Sequence, residues 1–167
     1  MKNLLFSISI LAITTIAASC KKEQNTLDSL VGEWSIDKVE LLEGPKGDSI
    51  FTDNKLVLNI GACTTTDNGS AGCQTSAIKL DGKTIFKEVS IQYNGGSLFI
   101  TSSNREGTPD EVSLKRADLF AGVYTIKEQS NTVLTLQSVP IGASDKGKFF
   151  FDYRGFKYST SILRLKK

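Results

Sequence analysis

The stretch "LVGEWSIDKVE", Leu30–Glu40, decides how the rest of the chain is read. The residues leading into it, "TLDSLVG", have room for about one helical turn. Gly32 then stands two places before Trp34, and from residue 33 onward apolar and polar residues alternate. The same opening recurs in "FAGVYTIKEQ", Phe120–Gln129: a glycine, any residue, an aromatic, then alternation. We read the likeness as recurring chemistry at the start of a strand, not as an internal repeat.

Period-two runs fill the chain beyond this stretch. "KLVLNIGA" puts Leu56, Leu58 and Ile60 on one face, and "KEVSIQY" does so for Val89, Ile91 and Tyr93. "VYTIKE", "VLTLQSV" (Leu134, Leu136), "KFFFDY" (Phe149, Phe151, Tyr153) and "STSILRL" (Leu163, Leu165) follow the same rule. Short alternating runs predict half-buried strands. "NGG" at Asn94–Gly96 is the strongest hairpin signal, because Asn-Gly suits a two-residue turn. "DGK" after Leu80 and "SNT" at Ser130–Thr132 mark further short turns, while "NREGTPDE" and "GASDKGK" are longer polar loops. About nine strands with short connections predict an all-β antiparallel meander, closed into a barrel that leaves no exposed edges.

The N-terminus has a different character. Lys2 precedes an uncharged apolar run, Leu4–Ala18. At about 15 residues it spans ~22 Å as a helix, too short for ~30 Å of hydrocarbon. It therefore reads as a secretory leader over residues 1–19. Ala17, Ala18 and Ser19 before Cys20 resemble the lipobox of bacterial lipoproteins. That resemblance implies a thioether diacylglycerol on Cys20 and a further acyl chain, such as palmitate, on its amine. One chain holds a protein only marginally, and two or three make a durable anchor. Residues 20–26 then form a lipidated tether, and residues 27–167 are the folded domain.

Composition removes several function classes. The full chain has 20 basic and 18 acidic residues and no histidine. Lys2 leaves with the leader, so the remainder is near neutral and lacks the basic balance of a nucleic-acid binder. Without histidine there is no His-based triad and no histidine general base, and most zinc sites are ruled out. Cys63 and Cys73 flank "TTTDNGSAG". Export implies an oxidising compartment in which a bridge between them persists. Closing so short a loop contributes roughly 2–3 kcal/mol. A redox pair or half a metal site is the alternative, but the spacing is not C-x-x-C.

Catalytic patterns are weak. Ser-x-x-Lys occurs at Ser19, Ser35 and Ser76. That spacing aligns two side chains on a helix but sends them to opposite faces of a strand. Asp110-Glu111 and Glu40/Glu43 read as solvated charges beside loops, and Asp67-Asn68-Gly69 lacks the spacing of a calcium loop. No enzyme activity, cofactor or metal is expected.

The turn, the Gly32-Glu33-Trp34 step and the strand together resemble the start of the barrel in lipocalins and the wider calycins. Membership would imply that Gly32 permits a tight bend and that Trp34 closes one end of the barrel. It would also imply that an arginine near the end of the last strand, here Arg164 in "SILRLKK", packs over the indole. The resemblance extends to lipid-anchored lipocalin-like proteins of Bacteroidota-type bacteria. Asp28-Ser29-Leu30 and Asp48-Ser49-Ile50 likewise resemble an O-glycosylation acceptor of such exported proteins, with the glycan on Ser29 or Ser49.

The expected protein is a lipocalin-like barrel of about eight to nine strands. It is exported, anchored to the envelope (the outer membrane) by Cys20, monomeric and non-catalytic. Its first expected function is to bind a small apolar ligand inside the barrel. The alternative is a structural or interaction lipoprotein, a filled barrel or β-sandwich, that meets a protein or glycan partner through its loops.

Overall fold

The computed structural model describes residues 24–65, 71–139, 142–143, 149–154 and 156–167. The expected leader at 1–19, Cys20 and the Asp67-Asn68-Gly69 stretch lie outside these residues.

Helix α1 covers 24–30, so the last residues expected as tether already form its first turn. It leads into β1 (Gly32–Leu42), β2 (Ser49–Ile60), β3 (Cys63–Thr65), β4 (Ala71–Leu80), β5 (Lys83–Asn94) and β6 (Ser97–Arg105). Helix α2 (Glu111–Ala117) follows and runs into a 3-10 turn, Asp118–Phe120. Then come β7 (Gly122–Gln129), β8 (Val133–Ser138), β9 (Gly142–Ala143), β10 (Phe149–Tyr153), β11 (Phe156–Tyr158) and β12 (Thr160–Lys166).

Eight strands close a ring, β1–β2–β4–β5–β6–β7–β8–β12 and back to β1, with every pair antiparallel. This is the closed barrel that the alternation predicts. β3 extends the line of β2 along β4 after a break at Gly61-Ala62, and β9–β11 form a small side sheet between β8 and β12. The "KFFFDY" run is therefore a strand, but one outside the ring.

The turn signals are read correctly where they are strongest. Asn94 pairs with Ser97, and Gly95 and Gly96 between them both have positive φ, as a primed two-residue turn requires. Asp81 and Gly82 repeat this between Leu80 and Lys83.

Inward residues come from every barrel strand. Trp34, Ile36, Leu58, Ile78, Ile91, Ile100, Tyr124, Leu136 and Leu163 are fully buried. A register shift after Ile36 keeps Val39 and Leu41 on the inner face as β1 continues. Complete burial here has a specific meaning, since a side chain lining a water-sized void would still show accessible surface. These side chains therefore fill the space they enclose.

α2 was not expected from the sequence, where Asp110 and Glu111 read as charges beside a loop. The signals for it are present. Asp110 caps the helix by accepting from the Ser113 N–H at 2.9 Å, and Glu111 pairs with Lys115 one turn on. The capping bonds also hold the Asp110 carboxyl below its ordinary pKa. The helix is short, and its one buried residue is Ala117, so it lacks the apolar stripe that marks a helix in sequence.

Candidate functional surfaces

The barrel has two differently built ends. At the first, α1 lies across the opening with Leu27 and Leu30 buried. Gly32 turns the chain into β1 at φ +131°, a conformation that side chains rarely adopt. A Cβ there would also come within 3.1 Å of the Lys167 side chain. The indole of Trp34 then points back beneath the helix, and its Nε1–H donates to the Leu30 carbonyl at 2.6 Å. That oxygen is one of the helix-terminal carbonyls with no partner inside the helix.

Three side chains pin α1 to the barrel rim. Gln24 donates to the Cys63 carbonyl at 3.1 Å, Gln129 to the Thr26 carbonyl at 3.0 Å, and Lys167 to the Ser29 carbonyl at 3.4 Å. The disulfide between Cys63 and Cys73 lies at this rim, joining directly opposed residues of β3 and β4.

The cation over the indole is not the expected one. Lys167 Nζ lies 4.6 Å from the centre of the Trp34 ring. Arg164 is exposed on the outer face of β12 and pairs with Asp37 at 3.8 Å. The reason is the strand period. Leu163 and Leu165 face inward, so Arg164 between them must face out, whereas Lys167 lies past the strand end and can curl over the rim.

At the second end the Gly-x-aromatic device recurs. Gly122 has φ +151°, and Tyr124 is fully buried with its hydroxyl donating to the Leu119 carbonyl at 2.6 Å. Leu119 and Phe120 of the 3-10 turn are buried, as Leu27 and Leu30 of α1 are. Burial pushes the Tyr124 phenol well above its ordinary value near 10. α2 is tied down by a two-pronged ion pair. Arg116 Nε meets Asp53 Oδ2 at 2.9 Å, and its terminal nitrogen meets Oδ1. Both side chains are largely buried, and the pairing raises the Arg116 pKa. Phe51 stacks on Tyr153 beside this pair, and Arg154 lies 5.0 Å over the Tyr153 ring.

The outer wall carries an apolar patch. β6 pairs with β5 along its whole length but with β7 only through Ser97–Ile100. Beyond that point the strands part, and among the described residues Thr101–Arg105 pairs on one side only. A groove of about 510 Å³ fills the fork, lined by Phe99, Thr101, Ala121 and Val123 among others. Phe99 and Val123 are cross-strand partners, and the Val139 N–H donates to the Val123 carbonyl at 2.6 Å. Phe99 and Val139 remain 39% and 37% exposed.

The other sequence candidates are dispersed. Ser29 is half-buried in α1, donating to the Thr26 carbonyl and accepting from Gln129. Ser49 is half-buried at the start of β2. Ser76 is fully buried and accepts from the Gly61 N–H, while Lys79 pairs with Glu33. Ser35 donates to the Lys166 carbonyl, and Lys38 pairs with Glu40. A second groove, about 420 Å³, lies between the β4–β5 turn and the start of α2. Its carboxylates are all engaged: Asp81 with Lys55, Glu106 with Lys87, and Asp110 as the cap. Sequence reasoning did not find the fork, because it arises from where β7 joins β6 and not from any residue pattern.

Comparison with known proteins found no family model, no curated protein and no solved structure that matches the chain.

Proposed function

We propose that this chain is a non-catalytic lipoprotein of the cell envelope that acts by contacting a protein partner on the outside of its barrel. In this reading residues 1–19 direct export, Cys20 carries the lipid, and the outer membrane is the site of attachment. The closed eight-stranded barrel is consistent with a lipocalin-like domain. One contrast carries the choice between the two functions expected from the sequence. Most of the inward side chains, Trp34, Leu58, Ile91, Ile100, Tyr124, Leu136 and Leu163 among them, are fully buried, whereas Phe99, Val123 and Val139 stand on the outer wall beside a half-paired strand. A filled interior supports the interaction reading over a ligand held within. An apolar outer patch beside a strand that, among the described residues, pairs on one side only suits an extended segment of another exported protein.

Purification from the native membrane, followed by intact mass spectrometry, tests both parts. We expect an acylated N-terminus at Cys20 and no stoichiometric small molecule. A photoreactive residue at Phe99 should yield one discrete protein adduct, and the same probe at exposed Thr52 should not. A stoichiometric apolar ligand would transfer the assignment to the barrel interior. An unmodified Cys20 would remove the anchor.

A further inference from the structure

We propose that the α1 end of the barrel is the face turned toward the lipid bilayer, and that the α2 end and the β6–β7 fork point away from it. This rests on the lipid-anchor reading of Cys20. Three residues, hence four Cα–Cα steps, separate Cys20 from Gln24, and even fully extended they reach no more than ~14 Å. Gln24 is not free to swing, because its side-chain amide is bonded to the Cys63 carbonyl at the α1 rim. α1 itself is held at that rim by Gln129 and Lys167. The lipid is thus tethered to one specific end of a rigid body.

The barrel strands reach 11 and 12 residues in β1 and β2. At about 3.3 Å per residue and a typical tilt of ~40°, such strands set the two ends some 25–30 Å apart. The tether is about half that length, so it cannot bring the α2 end down to the headgroups while α1 keeps its place. Charge agrees with this polarity. Lys21 and Lys22 lie in the tether, where anionic headgroups would meet them. The fork opens where β6 continues beyond Ile100 toward the α2 end. A partner seated there would approach from the aqueous side, with the barrel acting as a spacer.

The test uses the acylated full chain in vesicles containing anionic lipid and a headgroup-borne paramagnetic quencher. One fluorophore goes on Asn131→Cys, in the exposed β7–β8 turn of the α1 end, and another on Val112→Cys, which is 64% exposed on α2. Quenching at Asn131→Cys should be several-fold stronger than at Val112→Cys. Inserting a long Gly/Ser linker after Lys22 should erase the contrast. Equal or reversed quenching with Cys20 shown by mass to be acylated would overturn the orientation alone. An unacylated Cys20 would overturn the anchor and the orientation together. A contrast that survives the linker would overturn the tether as its cause.

Discussion

The two ends of the barrel use one device in two settings. At each, a glycine with positive φ turns the chain into a strand, and an aromatic two residues on donates back to a carbonyl of the preceding helical turn. What differs is how the lid is fastened. The α1 lid precedes the first strand, stapled by neutral or singly charged donors and backed by a disulfide. The α2 lid is part of a long connection and is locked by a two-pronged ion pair. The tight β5–β6 and β7–β8 turns lie at the first end, while the second holds the tight β4–β5 turn together with the long β6–β7 and β8–β12 connections. Tight turns leave little to vary, so the second end carries the surface available for recognition.

Unequal perturbation of the two ends tests this comparison. The largest effect is expected from Trp34→Ala, which empties the most voluminous fully buried side chain. It should cost about 3–5 kcal/mol in denaturant unfolding and open α1 first in hydrogen exchange. Next, replacing Cys63 and Cys73 together by alanine should cost roughly 2–3 kcal/mol, with lost protection at β3 and α1 but not at α2. Asp53→Ala reverses that polarity. It strands Arg116 beside a half-open site, costs about 1–3 kcal/mol, and should loosen α2 while leaving α1 protected.

Tyr124→Phe is the mildest change, about 1 kcal/mol for one hydrogen bond. It carries a pH signature of its own. Burial raises the folded-state pKa of Tyr124, so the unfolded chain gives up that proton first. The stabilisation is complete below the ordinary tyrosine value near 10 and is lost as pH rises above it, by up to about 1.4 kcal/mol per pH unit. Tyr153, also raised by burial, acts in the same direction. Melting temperatures from about pH 8 to pH 11 should therefore fall less steeply in Tyr124→Phe than in the parent.

Much of the ring was legible because alternation is a local property. Leu56/Leu58, Leu134/Leu136 and Leu163/Leu165 each face inward as their spacing requires. Asn94-Gly95 fixed its turn through backbone sterics alone. The cysteine pair was legible by proximity in sequence. α2 was missed because seven residues with one buried side chain leave no periodic stripe. The cation over Trp34 was assigned to Arg164 when strand parity forbids it, and parity could have been counted from Leu163 and Leu165.

The sequence alone determined the strands, their inward faces, the tight turns, the two Gly-x-aromatic steps and the lack of histidine chemistry, since each depends on neighbours along the chain. Tertiary structure decided that the interior is filled, that Lys167 and not Arg164 meets the indole, that Asp53 reaches Arg116, and that β6 and β7 part after Ile100. Those outcomes depend on ring closure and register. Closure brings together residues far apart in sequence, and no local pattern encodes which of them will meet.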